Sequence, residues 1–265
     1  MKIHIGTNTK MYKTIAQTSE YLNELGELIK DIDRSLIEIF VIPSYTTLES
    51  ASRITEKMKI LLGAQNMGWE DEGQFTGEIS PVMLKEVGVQ VVEIGHSERR
   101  HILHEDDEMI NHKVHAALHH GLNPLLCVGE TEEQKNNGIA DEVLKTQIKL
   151  GLRNVKKDDA GKIWIAYEPV WAIGVNGKPA GLEYAARRHH TMRKTLEELY
   201  GIREAARIPL LYGGSVNLSN ACEFMSVKNI DGLFIGRSAW DARQFDKIIR
   251  AVLDAKEYRR EEILC

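Results

Sequence analysis

Hydrophobic residues along this chain fall into two alternating patterns. Short runs rich in aliphatic and β-branched residues predict about eight strands, at positions 3–8, 39–43, 60–66, 89–96, 124–129, 163–168, 209–214 and 232–236. Most of these runs are apolar nearly throughout and do not alternate with polar residues, as is typical of parallel strands buried on both faces. The pattern therefore predicts a parallel sheet covered on two sides.

The segments between the predicted strands have the spacing of helices. In the first segment an apolar stripe is formed by Tyr21, Leu22, Leu25, Leu28, Ile29 and Ile32. Polar residues lie off this stripe, which predicts a helix that packs on the sheet by one face. Because strand and helix patterns repeat without a linker or a low-complexity segment, we expect a single α/β domain over residues 1–265.

Two folds are compatible with repeated strand and helix units. A doubly wound open sheet would place a Gly-x-Gly-x-x-Gly motif after the first strand in many cases, and this chain has none there. Polar residues instead gather at the carboxyl ends of the predicted strands all along the chain, as in a closed barrel. The sequence favours a single-domain (β/α)8 barrel over the open sheet.

Composition and charge narrow the range of partners. The chain is 43% hydrophobic and 28% charged, without an apolar run of membrane-spanning length or a charged-then-apolar leader at Met1. We therefore expect a cytoplasmic protein with no membrane partner. The formal net charge of −5 argues against a nucleic-acid partner, because such proteins usually carry a basic surface. A small anionic substrate would need local positive groups.

The cysteines suggest neither a disulfide framework nor a metal site. The chain has three, Cys127, Cys222 and Cys265, and none lies in a Cys-x-x-Cys spacing. We expect all three to be thiols and predict no bound metal.

The residue with the most distinctive setting is Glu168, at the end of an apolar strand and directly before Pro169. Proline fixes its own φ and favours an extended conformation in the preceding residue, so the carboxylate leaves the strand in a defined direction. Such a carboxylate is a candidate general base. The permissive and rigid positions that follow predict a hinged lid over 174–180, formed around Gly174, Asn176, Gly177 and Pro179.

Two other strand ends carry candidate catalytic groups. Asn8 and Lys10 are two positions apart, so both side chains can leave an extended segment on the same face. On its own, a lysine after a strand such as Lys10 is more often a solvated loop residue. His96 ends the fourth strand where a helix is predicted to start, and backbone N–H groups there would favour a neutral, hydrogen-bond-donating imidazole.

The last two strands end in glycines. Gly213 and Gly214 precede Ser215, and Gly236 precedes Arg237. Glycine lets backbone N–H groups approach an anion, and in barrels the loops after strands seven and eight commonly bind phosphate. Each glycine segment alone fits a simple turn, but the two together favour a phosphate site.

Seven ordered motifs give the chain a close resemblance to triosephosphate isomerase over nearly its whole length. They are NTKM at 8–11, GAQN at 63–66, FTGEIS at 75–80, GHSERR at 95–100, CVGET at 127–131, YEPVWAIG at 167–174 and YGGSV at 212–216. The resemblance implies a TIM barrel that needs no cofactor and that isomerises a phosphorylated sugar.

The resemblance also implies residue roles. Glu168 would be the base, His96 the electrophile that polarises the carbonyl, and Lys10 the cation beside the substrate, with Asn8 as a positioning group. By resemblance, the substrate phosphate would meet backbone N–H groups of Gly174, Ser215, Gly236 and Arg237. Family members usually form homodimers through a loop like 74–78, whose tip reaches the active site of the partner, so we expect a homodimer.

Three departures from the family pattern bear on the substrate. The family usually has Trp in place of Thr9 and a second Gly in place of Arg237, and the lid here is one residue longer, with Pro179 near its far end. The longer lid and the segment GRSAW at 236–240 together resemble a branch of the family that isomerises erythrulose phosphates. Three readings remain: isomerisation of glyceraldehyde 3-phosphate and dihydroxyacetone phosphate, isomerisation of L-erythrulose 1-phosphate and D-erythrulose 4-phosphate, or an inactive sugar-phosphate-binding barrel.

Overall fold

The computed structural model describes residues 2–174 and 177–264. The expectations for Asn176 in the lid and for the thiol of Cys265 lie outside the described residues. Cys127 and Cys222 are free thiols.

Eight parallel strands form a closed barrel in which each strand pairs with the next and the eighth pairs with the first. The strands are β1 Ile3–Asn8, β2 Ile37–Ile42, β3 Leu61–Ala64, β4 Val91–Ile94, β5 Asn123–Val128, β6 Trp164–Tyr167, β7 Leu210–Tyr212 and β8 Gly232–Ile235. The predicted barrel and all of its predicted strands are confirmed. β2 begins two residues earlier than predicted, at Ile37, and several other predicted runs extended into the loops that follow the strands.

Helices surround the barrel. They are α1 Ile15–Leu28, α2 Leu48–Met58, α3 Pro81–Glu86, α4 Ser97–His101, α5 Asp107–His119, α6 Glu132–Asn136, α7 Ala140–Gly151, α8 Leu182–Tyr200, α9 Ile202–Ala205, α10 Ala221–Phe224 and α11 Ala242–Leu264. Short 3-10 helices cover Tyr45–Thr47, Lys157–Lys162, Val170–Ala172 and Arg237–Ala239. Among the described residues, no helix is long and apolar enough to cross a membrane.

Local sequence signals explain where several helices begin. The Thr14 hydroxyl accepts a hydrogen bond from the backbone N–H of Gln17, and the Gln17 side chain accepts from the backbone N–H of Thr14. Thr131 and Gln134 repeat this capping box at the start of α6. Reciprocal capping of this kind satisfies two backbone donors that the first turn of a helix leaves free.

The apolar residues separate into two layers, one on each side of the barrel wall. The larger layer lies between the strands and the helices and includes the predicted α1 residues Tyr21, Leu22 and Leu25. The smaller layer fills the barrel interior with Phe40, Ile42, Val91, Leu125, Cys127, Trp164, Ala166, Leu211 and Phe234. Most strands therefore carry apolar residues on both faces, which is why their sequences do not alternate.

One buried histidine couples folding to pH. His189 in α8 is fully buried between the rings of Tyr167 and Tyr212. Its Nδ1 lies 3.0 Å from the carbonyl oxygen of Asn229, so the neutral ring donates from Nδ1, and Nε2 has no hydrogen-bond partner among the described residues. Burial lowers the pKa of His189 to about 3.

We predict that this histidine makes the protein less stable in acid. Between about pH 6.5 and about pH 3, His189 is protonated in the unfolded chain but not in the folded chain. The free energy of unfolding therefore falls as pH falls, by up to about 1.4 kcal/mol per pH unit. Equilibrium urea unfolding should show a weaker pH dependence in His189→Gln, whose amide can still donate to Asn229. The exposed neighbour His190→Gln is the control. Equal slopes in all three proteins would contradict the prediction.

Candidate active site

The carboxyl ends of the strands bring the predicted catalytic residues together at one mouth of the barrel. Asn8 is the last residue of β1, His96 follows β4 by two positions, and Glu168 follows β6 by one. All three are buried, and Lys10 is partly buried beside them. Because parallel strands end at the same edge, residues far apart in sequence meet there.

Glu168 is the central carboxylate of this site. Its side chain is only 6% exposed, and Oε1 lies 3.4 Å from Nε2 of His96. Its other oxygen, Oε2, has no hydrogen-bond partner within the described part of the chain. A Cβ at Gly129 would overlap the Glu168 carbonyl oxygen, so glycine at 129 is needed to admit this backbone. One oxygen of a well-held carboxylate is thus free for another molecule.

His96 forms the N-cap of α4, at the helix start that the sequence predicts. Its Nδ1 accepts a hydrogen bond from the backbone N–H of Glu98 at 3.2 Å. An imidazole nitrogen that accepts carries no proton, so the neutral ring holds its proton on Nε2. That N–H faces the carboxyl oxygens of Glu168 and Glu93.

Lys10 supplies a positive charge. Its Nζ lies 2.7 Å from Oε1 of Glu98. Burial lowers the pKa of Lys10, but the hydrogen bond to Glu98 and the charges of Glu168 and Glu98 act against burial, and the pKa is raised above its usual value. For Glu98, burial alone would raise the pKa, yet the hydrogen bond from Lys10, the nearby His96 and the charge of Lys10 together outweigh burial, and the pKa is lowered. The pair therefore stays ionised around neutral pH.

Asn8 is held at both ends of its amide. Its Oδ1 accepts from the backbone N–H of Lys10 at 2.6 Å and from Nε2 of Gln65 at 3.0 Å. Its Nδ2 donates to Oε2 of Glu93 at 2.6 Å. The indole N–H of Trp240 also donates to the Asn8 carbonyl at 2.9 Å. These bonds leave the side chain a single orientation.

The predicted phosphate residues lie at neighbouring strand ends. Ser215 follows β7, Gly236 follows β8, and these two strands pair directly. Arg237 begins a 3-10 helix, with an exposed side chain that makes no ion pair or hydrogen bond among the described residues. Gly174, on the loop after β6, has a positive φ of 83°. An added Cβ would meet nothing within 4 Å at Gly174 or Gly236, so both backbones face open space.

The segment leading into the predicted lid is anchored by a buried carboxylate. Glu130 accepts hydrogen bonds from Trp171 Nε1 at 2.8 Å, from the Tyr184 hydroxyl at 2.9 Å and from the Tyr167 hydroxyl at 3.0 Å. The ammonium of Lys135 lies 3.4 Å from the centre of a Trp171 ring. Trp171 thus fixes the near end of the loop that contains Gly174.

Comparison with known proteins identifies the family. A family model described as triosephosphate isomerase matches residues 3–252. The chain belongs to the triosephosphate isomerase family. The crystal structure of triosephosphate isomerase from Bartonella henselae matches with a TM-score of 0.85 at 36% identity, over 95% of this chain and 99% of that one.

Similar members of the triosephosphate isomerase family carry two different names. An L-erythrulose-1-phosphate isomerase of Rhizobium etli is 44% identical over 95% of this chain and 93% of its own length. A triosephosphate isomerase of Caldanaerobacter subterraneus subsp. tengcongensis is 45% identical over 92% of this chain and 97% of its own length. Because the two sequence identities are nearly equal, they do not favour one of these two names over the other.

Sequence reasoning missed Glu93, a further residue of this family member's site. Its side chain is fully buried, and the signal was present, because Glu93 is the only charged residue of β4. Ligand atoms of Glu93, His96 and Glu168 lie within 4.8 Å of one another, a spacing that a cation could use. Burial and then the charge of Glu168 raise the pKa of Glu93 well above its usual value. A carboxyl that keeps its proton is a poor metal ligand, so we interpret the three as an acid–base cluster.

The hydrogen bonds of two buried histidines predict opposite tautomers. His96 should carry its proton on Nε2, because Nδ1 accepts from Glu98, whereas His189 should carry it on Nδ1, because that atom faces a carbonyl oxygen. Nitrogen-15 NMR of imidazole-labelled protein near neutral pH measures both in one spectrum, and His96→Gln and His189→Gln assign the signals. A proton on Nδ1 of His96 would refute the assignment.

Proposed function

We propose that this protein is a sugar-phosphate isomerase that moves a carbonyl group by one carbon through an enediol. The observation that carries the proposal is the short distance between Glu168 and His96 at the barrel mouth. Oε1 of Glu168 lies 3.4 Å from Nε2 of His96. A carboxylate beside an N–H donor combines a base for a C–H proton with a partner for the neighbouring carbonyl oxygen.

The proposed steps use only groups of this chain and no cofactor. Glu168 removes a proton from the carbon next to the carbonyl, while the Nε2–H of His96 donates to the carbonyl oxygen. His96 gives its Nε2 proton to that oxygen, which forms the enediol, and then takes up the proton of the neighbouring hydroxyl, whose oxygen becomes the new carbonyl oxygen. Glu168 returns its proton to the carbon that first carried the carbonyl, which completes the shift. The ammonium of Lys10 stabilises the negative charge that develops on oxygen, and Asn8 positions the substrate.

The phosphate group would bind at the adjacent ends of β7 and β8. Backbone N–H groups of Ser215, Gly236 and Arg237 provide donors, and Gly174 adds another from the lid. Two observations support this placement: Gly174 and Gly236 face open space, and Arg237, whose side chain has no ion pair among the described residues, directly follows Gly236. A lid over 174–180 would then close over the bound sugar.

Two substrate pairs fit this chemistry. The first is glyceraldehyde 3-phosphate and dihydroxyacetone phosphate. The second, L-erythrulose 1-phosphate and D-erythrulose 4-phosphate, is favoured by one specific observation, because the Arg237 side chain is exposed and unpaired among the described residues and is free to bind phosphate or an outer hydroxyl. The third reading, an inactive binding barrel, does not explain why Glu168 lies next to His96.

A parallel assay of both substrate pairs tests the function. We expect Glu168→Asp, which withdraws the carboxylate by about one methylene, to lose orders of magnitude in kcat and to keep binding a phosphorylated inhibitor. Prepared identically, this variant also measures contamination by the host's own isomerase. If wild type turned over neither pair above this background, the enzyme proposal would be wrong.

Arg237→Gly separates the two substrate pairs. If Arg237 makes a charge-assisted contact to the four-carbon substrate, its loss costs about 1.5–3 kcal/mol, so kcat/KM for erythrulose phosphate should fall roughly tenfold to hundredfold while dihydroxyacetone phosphate is little affected. A wide preference for dihydroxyacetone phosphate, together with a nearly silent Arg237→Gly, would assign the triose pair instead.

We also propose that residues 1–265 form one domain that assembles as a homodimer. Large apolar side chains are exposed on the loops and helices after β1, β3 and β4, among them Met11 at 94% and Ile102 at 67%. Others in the same region are Tyr12, Phe75, Val82, Met83 and Leu103. Exposed apolar groups concentrated in one region usually mark a protein interface. A cytoplasmic location stays a prediction from the sequence.

The dimer is tested by light scattering coupled to size exclusion. Wild type should have twice the mass of the 30.0 kDa chain. A charge at the centre of the exposed region, as in Met11→Glu or Phe75→Glu, should weaken association because it would have to be buried without a partner. Ile202→Glu is the control, since Ile202 is 75% exposed but lies before β7, at the opposite end of the barrel. A monomeric wild type at micromolar concentration would contradict the proposal.

A further inference from the structure

Glu93 lies at the boundary between the apolar barrel interior and the candidate catalytic groups. Along β4, Val92 and Ile94 pack towards the helices, whereas Val91 belongs to the barrel interior. Because side chains alternate along a strand, Glu93 points the same way as Val91, into the barrel. Its side chain has no exposed surface. It therefore forms the floor of the site and does not contact solvent.

The contacts of Glu93 connect it to three other groups. Oε2 accepts from Nδ2 of Asn8 at 2.6 Å. Oε1 accepts a hydrogen bond from the Cys127 thiol, whose Sγ is 3.7 Å away, and lies 3.9 Å from Nε2 of His96. Because Oε2 accepts the short bond from Asn8 and Oε1 has only the weak thiol donor, Oε1 is the oxygen that can carry a proton. Asn8 is thus oriented by a residue 85 positions away in the chain.

The charges around Glu93 oppose its ionisation. The titratable groups that face it are Glu168, Glu98, Lys10, His96 and Cys127. The only permanent cation of this set is Lys10, and its ammonium is already paired with Glu98 at 2.7 Å. A second negative charge beside Glu168, against an apolar layer, would be poorly compensated. The burial of the carboxyl acts in the same direction.

Given the isomerase function proposed above, we infer that Glu93 is a positioning residue that remains a carboxylic acid: it fixes Asn8 and leaves the negative charge of the two neighbouring carboxyls on Glu168. Glu93 does not touch the substrate in this arrangement. It acts through Asn8, whose amide it orients, and through Glu168, which stays the anionic base because the deeper carboxyl holds the proton.

Infrared difference spectroscopy tests the protonation state without any turnover. Wild type near neutral pH should show the C=O stretching band of a protonated carboxylic acid, and the band should be absent in Glu93→Gln. Glu98→Gln is the matched control, because Glu98 is ionised and paired with Lys10, so the band should persist there. Absence of the band in wild type would overturn the inference, whether or not the protein is an isomerase.

Two substitutions then test the positioning role. Glu93→Gln is neutral and keeps an oxygen for the Asn8 donor, so kcat should remain within a few-fold of wild type near neutral pH. Glu93→Leu removes the acceptor and leaves the Asn8 donor unsatisfied, so kcat should fall about tenfold to hundredfold, with a smaller change in KM. Circular dichroism confirms that each variant is folded.

The pH profile separates this role from a purely structural one. In wild type, ionisation of Glu93 at alkaline pH would place a second anion beside Glu168 and lower kcat/KM, whereas Glu93→Gln has no such group and should lose less activity on the alkaline side. If Glu93→Gln were as inactive as Glu93→Leu, a charged Glu93 would be required and the inference would be wrong. A wild type inactive on both substrate pairs would refute the proposed function and leave the infrared result to decide the state of Glu93.

Discussion

The closure of eight parallel strands is the constraint on which the rest of this structure depends. Parallel pairing from β1 round to β8 places every carboxyl end at one mouth, and the interior beneath that mouth is filled with apolar side chains. Polar groups at the mouth therefore stand on a layer of low polarity, where interactions between charges are stronger than in water. The apolar interior beneath the mouth strengthens the electrostatic interactions that catalysis uses, and it also makes each buried charge costly.

This setting imposes a balance of charge on the site. Lys10 and Glu98 neutralise each other at the rim, and each stays ionised because of the other. Deeper in the barrel two carboxyls, Glu93 and Glu168, lie near a single imidazole. A neutral His96 with its proton on Nε2 can donate to an oxygen without adding a charge. The site thus needs only one anion at its centre, and Glu168, with an oxygen that has no partner in the described part of the chain, is placed to be that anion.

Most of the architecture was predictable from the sequence, because strands buried on both faces are apolar throughout and helices with one buried face have a 3.6-residue period. The base candidate and the helix start at His96 were also predictable, since Pro169 and the end of an apolar run are local signals. The bonds of Asn8 to Glu93 and of Trp171 to Glu130 were not, because each joins residues from different strand and loop units. In the strand pattern, Glu93 was a single charged residue in an apolar run, and only barrel closure shows that it lies beneath the site.

Glu93 also shows how function and stability compete in this barrel. A carboxyl in a position otherwise suited to an apolar side chain loses hydration on folding, and one hydrogen bond from Asn8 offsets only part of that cost. Residues that break the local pattern in this way are most often found at functional sites, where the rest of the fold supplies the missing stability. The apolar layers inside and outside the barrel wall provide it here. An apolar side chain at position 93 would make the fold more stable. Glu93 is therefore explained by what it does for activity, because it orients Asn8 and leaves the negative charge on Glu168.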